Sequence, residues 1–243
     1  MSNEPQDRVA LITGAGGGIG RAISQTFADR GVRGLMLFDC DQDALDLSVG
    51  ELAATGVDVL TRLVDVSDES EMKAGFAATV EHFGSLDYVC NNAATQTWQP
   101  AFPHADLADV HRVIDVNIRG VVLGCQLAFD HMSANGGGSV VNTASGAGKV
   151  PLPSDPLYAA TKAAVVMLTR SSADAFAAGD VRVNAVCPGM VDTAMLTKSL
   201  IGLPNVEAAL GDDLTLTPQE VAIAIVDLAT DPDQNGQTPS VIA

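Results

Sequence analysis

Short runs of consecutive apolar residues alternate along this chain with longer stretches in which apolar positions return every three or four residues. The runs are Arg8–Thr13, Gly34–Asp39, Val57–Val64, Leu86–Cys90, Ser139–Ser145 and Val181–Val186. Unbroken apolarity over so few residues is what a strand covered on both faces shows. Between the runs lie helical patterns. One carries Ile23, Phe27 and Ala28 on a single face, others begin near Asp41 and at Ser67-Asp68-Glu69, a long one covers about Leu107 to Met132, and another surrounds Tyr158. The sixth run is broken by Pro188-Gly189. Repeated strand–helix alternation with short connections predicts an α/β fold. The expected architecture is a doubly wound parallel sheet with helices on both faces, in a single domain spanning 1–243.

Composition narrows this picture without changing it. The 243 residues are 47% hydrophobic and 18% charged, the balance of a folded globule. A net charge of −17 argues against a nucleic-acid partner and reads as a solvated acidic surface. The polar start, Met1 to Arg8, lacks a signal-peptide core, and no apolar run approaches a membrane span, so a cytoplasmic protein with no membrane partner is expected. Cys40, Cys90, Cys125 and Cys187 form no CxxC pair and no cluster with His82, His104, His111 or His131. Free thiols are expected, and no metal.

Two stretches carry candidate chemistry. The first run enters Gly14-Ala15-Gly16-Gly17-Gly18-Ile19-Gly20 and then a helix. Strand, glycine-rich turn and helix let a pyrophosphate approach a helix N-terminus across bare backbone. The glycines fit both Thr13-Gly14-x-x-x-Gly18-x-Gly20 and Gly14-x-x-Gly17-x-x-Gly20. The second run ends in Asp39, 19 residues after Gly20. A carboxylate there can bind both ribose hydroxyls of an adenosine and would repel a 2′-phosphate, which favours NAD over NADP. The alternative is that Asp39 caps the helix beginning near Asp41. In the second stretch, Tyr158 and Lys162 stand four apart, one turn along a helix face. An ammonium there would lower the phenol's pKa and fit it to exchange a proton with an alcohol or carbonyl oxygen.

In order and spacing, Thr13-Gly14-x-x-x-Gly18-x-Gly20, Asp65, Asn91-Asn92-Ala93, Asn117, Ser145, Tyr158-x-x-x-Lys162 and Pro188-Gly189 followed by Thr193 resemble the short-chain dehydrogenase/reductase family over nearly the whole chain. The resemblance implies a Rossmann-fold oxidoreductase with a cofactor half at about 8–145 and a catalytic and substrate half at about 146–243. It makes Tyr158 the acid/base and has Lys162 tune that phenol and bind the nicotinamide ribose. Ser145 would hold the substrate oxygen, and Asn117 would anchor a water relaying protons from Lys162. Gly14, Gly18, Ile19 and Gly20 would line the pyrophosphate, Asp39 the adenosine ribose, and Asp65 with Val66 the adenine edge. Asn91 would lie beneath the cofactor, Thr193 would reach the carboxamide, and Ala93, Pro188, Gly189 and Val191 would complete the cofactor's surroundings. The family commonly has glycine at Ala94, and its glycine-rich close is absent from the end at Asn235–Ala243.

Ligands of such sheets sit outside the strands' carboxyl ends. That places Thr95–Trp98, Ala147–Leu157 and Met190–Leu216 around the substrate, with Trp98 a candidate wall. Met190, Val191, Met195, Leu196, Leu200, Ile201 and Leu203 form an apolar cover suited to a hydrophobic alcohol or ketone. The expected activity is NAD(H)-dependent interconversion of a hydrophobic secondary alcohol and its ketone. The alternatives are an NADP-dependent carbonyl reductase and a catalytically silent dinucleotide sensor. A homodimer or homotetramer is expected, the dimer through apolar outer faces at Val121, Val122, Leu123, Val165, Val166 and Leu168.

Overall fold

The computed structural model describes residues 5–98, 100–200 and 215–243. Seven parallel strands are arranged in the order β3-β2-β1-β4-β5-β6-β7. They are β1 (Val9–Thr13), β2 (Gly34–Asp39), β3 (Asp58–Leu63), β4 (Tyr88–Asn91), β5 (Gly138–Thr143), β6 (Val181–Pro188) and the two-residue β7 (Ser240–Val241). Between them run α1 (Gly18–Asp29), α2 (Gln42–Leu52), α3 (Glu69–Phe83), α4 (Leu107–Ile114), α5 (Gly120–Met132), α6 (Pro156–Ala177), α7 (Ala194–Leu200) and α8 (Pro218–Thr230).

Strand alternation splits the core between the two faces of the sheet. Val9 and Leu11 of β1, with Met36 and Phe38 of β2, face Met72 and Phe76 of α3, Val121 and Cys125 of α5, and Val165 of α6. Ala10, Ile12, Leu35 and Leu37 point the other way, onto Ile23 and Phe27 of α1, Leu45 of α2, and Val221 and Ile225 of α8. The six expected runs are all strands, with ends moved by one or two residues. Two expectations change. The stretch Leu107–Met132 is helical throughout, but Asp115–Arg119 is wound as a π-helix between α4 and α5. Val121, Val165 and Val166 are buried against the sheet rather than outward-facing, so on these helices Val122 and Met167 are the exposed apolar residues beside them.

Order reverses between β1, which leads leftward to β2, and β4, which leads rightward to β5. Crossovers diverge there and leave a crevice at the carboxyl ends of these strands.

Candidate active site

The glycine loop is shaped by contacts that side chains would obstruct. Gly14 has φ +63, and a Cβ on it would come within 2.8 Å of the Ala93 Cα. A Cβ on Gly20 would lie 2.1 Å from the Gly14 carbonyl oxygen, so only glycine lets the first turn of α1 press onto the loop. Gly17, the N-cap of α1, is exposed and has no side-chain cap, and the first turn of α1 contains no acidic residue. Its N–H groups and dipole are therefore available to an anion. Ile19 is half-buried beside them.

Asp39 ends β2 at this loop. Its Oδ2 accepts from Gly16 N–H at 2.9 Å, and its Oδ1 accepts from Asp41 N–H at 3.2 Å. The cap of α2 is Asp41, whose side chain accepts from Ala44 N–H, so the capping alternative for Asp39 does not hold. Asp65, past β3, folds its carboxylate back onto Ser67, accepting from the backbone N–H at 2.9 Å and the hydroxyl at 2.7 Å. Val66 beside it is buried under α5, where a Cβ on Gly120 would meet it at 2.8 Å.

At the end of β4, Asn91 turns its amide into the core, donating to Asn142 Oδ1 at 2.9 Å. Asn92 ties the site together, donating to the carbonyls of Thr13 and Gly14 and accepting from the Thr143 hydroxyl. The Thr13 hydroxyl accepts from the N–H groups of Asn92 and Ala93, both at 3.0 Å. Thr193, in the turn before α7, covers the loop from above: a Cβ on Gly18 would be 3.1 Å from its methyl. Pro188 and Gly189 form the bend out of β6, with the Pro188 carbonyl close to the Ser145 turn at Gly146, and Val191 is bridged to Leu216.

The reactive groups converge between β5 and α6. The Ser145 hydroxyl accepts from Ala147 N–H at 3.1 Å and stands close enough to the Tyr158 phenol to lower its pKa. Lys162 is almost fully buried, with its Nζ 5.6 Å from the Tyr158 ring centroid and donating to the Thr143 carbonyl at 2.7 Å. Burial pushes the phenol up to about 12, with the nearby Ser145 hydroxyl opposing and the charge of Asp155 adding to the rise. Burial likewise pushes Lys162 down to about 8. The expected lowering of the phenol by Lys162 is thus not seen: the shift is upward, and Lys162 is not among its causes. Desolvation is the largest influence on each and disfavours both charged forms.

Asn117 lies in the π segment with its side-chain amide hydrogen-bonded through both Oδ1 and Nδ2. It accepts from Thr95 N–H at 2.8 Å, and donates to the Thr95 carbonyl at 2.8 Å and to the Thr161 hydroxyl at 3.0 Å. Both Nδ2 hydrogens are used, while Oδ1 keeps a second lone pair free to accept from a further donor. The segment that carries Asn117, Asp115–Arg119, is wound as a π-helix, a form frequent at functional sites.

Four participants escaped the sequence reading. Arg112 donates to the Thr95 hydroxyl and, at 3.2 Å, to the Gln96 carbonyl. Asp155 accepts from Tyr158 N–H and Thr97 N–H. Lys198 of α7 sits 4.0 Å above the Trp98 ring, placing a cation in the expected apolar cover. Asn92 was signalled by its place in the Asn-Asn-Ala triplet; the others depend on contacts that the local sequence does not indicate. Of the cover, Ile201 and Leu203 lie outside the described residues, and for Leu200 only the backbone is described.

A switch-point crevice with a glycine cradle, a terminal carboxylate on β2 and a Ser–Tyr–Lys cluster is the apparatus of a nicotinamide-dependent oxidoreductase. The chain belongs to the short-chain dehydrogenase family, whose model matches residues 8–201. Levodione reductase of Leifsonia aquatica is 39% identical over 196 residues, covering 80% of this chain and 73% of that protein. The cis-4-hydroxycyclohexanecarboxylate dehydrogenase of Sinomonas cyclohexanicum is 37% identical over 230 residues, covering 93% and 90%. Among solved structures, levodione reductase superposes with a TM-score of 0.89 at 33% identity over 98% of this chain and 96% of its own. A 3-ketoacyl-(acyl-carrier-protein) reductase from Brucella melitensis complexed with NADH gives a TM-score of 0.88 at 29% identity, covering 98% and 97%.

Proposed function

We propose that this protein is an NAD(H)-dependent dehydrogenase that interconverts a hydrophobic secondary alcohol and its ketone, with Tyr158 as acid/base. The observation that carries this reading is the buried Tyr158 phenol beside Ser145, with Lys162 Nζ 5.6 Å from its ring centroid. The residues fit a dinucleotide. An added Cβ at Gly14, Gly18 or Gly20 would crowd Ala93, Thr193 or the Gly14 carbonyl, Ile19 lines the loop beside them, and the uncapped N-terminus of α1 offers its N–H groups to the pyrophosphate. Asp39 supports NAD, because a 2′-phosphate at the same place would meet its carboxylate. Asp65 and Val66 would hold the adenine edge. Ala93, the Asn91 backbone, Pro188, Gly189, Val191 and Thr193 would hold the nicotinamide end. Residues 8–145 then serve mainly the cofactor and 146–243 the chemistry and substrate.

A bound nicotinamide supplies or accepts the hydride, and the protein handles the proton. In reduction Ser145 holds the carbonyl oxygen, and Tyr158, neutral at rest, donates its proton to it. In oxidation the phenolate takes the proton from the alcohol hydroxyl. Lys162 gives up its proton more readily than the phenol, so it can pass one on beside Tyr158. Asn117 keeps Thr161 and the Thr95 loop in register around this path.

Levodione reductase and the cyclohexanecarboxylate dehydrogenase are named for cyclic substrates, which supports an alicyclic secondary alcohol as the first substrate class to try. Four free cysteines fit a reducing compartment such as the cytoplasm. Self-association through the neighbouring faces of α4, α5 and α6 would cover Leu107, Val122 and Met167. The test is nicotinamide absorbance with NAD and a panel of alicyclic and open-chain secondary alcohols, repeated with NADP and with Tyr158→Phe. Turnover with NAD that falls at least about 10²-fold in the variant is expected. Turnover with NADP alone would reject the role of Asp39, and unchanged rates in the variant would reject that of Tyr158.

A further inference from the structure

We infer that Asp155 is a positioning residue for this reaction: one buried carboxylate fixes the height of the catalytic tyrosine and, through its other oxygen, the loop on which substrate is seated. The inference rests on Tyr158 being the acid/base. Asp155 is only 6% exposed, unusual for a helix cap, since capping aspartates ordinarily sit in solvent. It is the N-cap of α6, with Pro156 fixing the first helical φ, and its Oδ1 accepts from Tyr158 N–H at 3.1 Å. The reactive phenol thus belongs to the residue whose backbone the cap holds.

The second oxygen sets this aspartate apart. Oδ2 accepts from Thr97 N–H at 2.8 Å, across 58 residues of sequence. Thr97 lies in the loop that leaves β4 and reaches Trp98, and its three preceding anchors act in succession. Asn117 holds both backbone groups of Thr95, Arg112 holds the Gln96 carbonyl, and Asp155 holds Thr97. The last of these is the one that joins the loop directly to the catalytic helix. Trp98 then stands under Lys198 of α7. A carboxylate can accept two N–H groups at once, which neither a serine nor an asparagine can do at the same two points. Misplacement of reacting groups by about 1 Å costs roughly 10²-fold in rate, so a clamp of this kind has kinetic consequences.

The same charge acts on the phenol. The groups facing Tyr158 are Asp155 and Lys162 on its own helix and the Ser145 hydroxyl from the turn after β5. Cys187 of β6 faces Lys162 in turn. Of these, Asp155 raises the phenol and Ser145 lowers it.

Asp155→Asn and Asp155→Ala separate the two arms. Asparagine keeps an acceptor for Tyr158 N–H but presents an N–H₂ group to Thr97, so KM for the alcohol should rise about 10-fold with kcat within a few-fold of wild type. Alanine removes both arms, so kcat should fall as well, giving roughly a 10²-fold loss in kcat/KM. In both variants the acidic limb of the oxidation pH profile should move to lower pH, because the neighbouring negative charge is gone. NADH affinity, read by fluorescence, should remain within about twofold of wild type, since no arm of Asp155 touches the cradle. Wild-type kcat/KM and pH profile in both variants would overturn the inference. So would parallel loss of NADH binding and activity, which would mark Asp155 as merely structural. Tyr158→Phe, assayed alongside, keeps the two questions apart: full activity in that variant rejects the acid/base reading itself, whatever Asp155 does.

Discussion

Lys162 and Tyr158 are both buried groups whose charged forms are disfavoured, and this has a consequence measurable without substrate. Between about pH 8 and the ordinary lysine value of 10.5, the unfolded chain holds a proton on Lys162 that the folded protein has released. Stability rises with pH wherever the unfolded state binds more protons, so it should increase across that window, by up to about 3 kcal/mol. Tyr158 acts with the opposite sign. Between the ordinary tyrosine value of 10.0 and about 12 the folded protein keeps a proton that the unfolded chain has lost, and stability should fall there. Urea titrations from pH 7 to 10 should show the increase in the wild type and its absence in Lys162→Met; a flat wild-type profile would refute the buried ammonium. Asp39 offers a second test at this scale. Asp39→Ser removes the charge that a 2′-phosphate would meet, and should shift the NAD:NADP ratio of kcat/KM towards NADP by roughly 10–100-fold. It also frees the Gly16 N–H, so affinity for NAD itself should weaken, and titration with each cofactor separates the two effects.

Helices and strands were legible where their whole signal is local. Six buried strands are visible as apolar runs, and the caps Asp41 and Asp68 mark the starts of α2 and α3 as their sequence signals suggest. The π turn at Asp115–Arg119 was not legible, because apolar spacing continues across it and one extra residue per turn hardly disturbs the pattern. β7 is two residues long, and its existence depends on pairing of Ser240 with Cys187. α8 was readable and overlooked: Thr217-Pro218-Gln219-Glu220 is a full capping box with proline in the first turn. Thr217→Ala should therefore cost about 1 kcal/mol, a fall of about 2–4 °C in melting temperature by calorimetry. In the site, motif residues were readable because glycine, tyrosine and lysine at fixed spacing carry chemistry locally. The Asp155–Thr97 bond and the direction of the Tyr158 shift were not, since both depend on what tertiary packing brings near and on how much water it removes. The helix–sheet contact over Asn91 makes the same point. A Cβ on Gly124 would lie 2.0 Å from Asn91 Oδ1, so Gly124→Ala should destabilise by about 1–3 kcal/mol in urea unfolding, although nothing in the helix pattern demands glycine there.

At the scale of the whole molecule, a protein of net charge −17 must bind an anionic dinucleotide. Two fields compete. The global field repels a pyrophosphate over a Debye length, about 10 Å at 0.1 M salt. The local field at the cradle attracts it, and its make-up shows how the chain reconciles the two. α2, α3 and α8 each carry an acidic residue in the first turn, which offsets the helix dipole at their N-termini. α1 carries none and has no side-chain cap, so the N–H groups of its own first turn are not offset by a carboxylate on that helix, and the nearest one, Asp39, is engaged by Gly16 N–H at the loop's edge. Short-range attraction from backbone N–H groups at hydrogen-bond distance is barely screened by salt, whereas repulsion from carboxylates spread over the surface is screened strongly. NADH affinity should therefore increase several-fold as sodium chloride rises from about 10 to 150 mM, the reverse of the salt dependence of a site built on surface cations. Fluorescence titration of NADH at constant pH measures this directly. A decrease in affinity over the same range would mean that exposed cations near the crevice, such as Lys198, hold the cofactor rather than the N-terminus of α1. Repeating the titration with Lys198→Ala would then show whether the salt dependence disappears with that side chain.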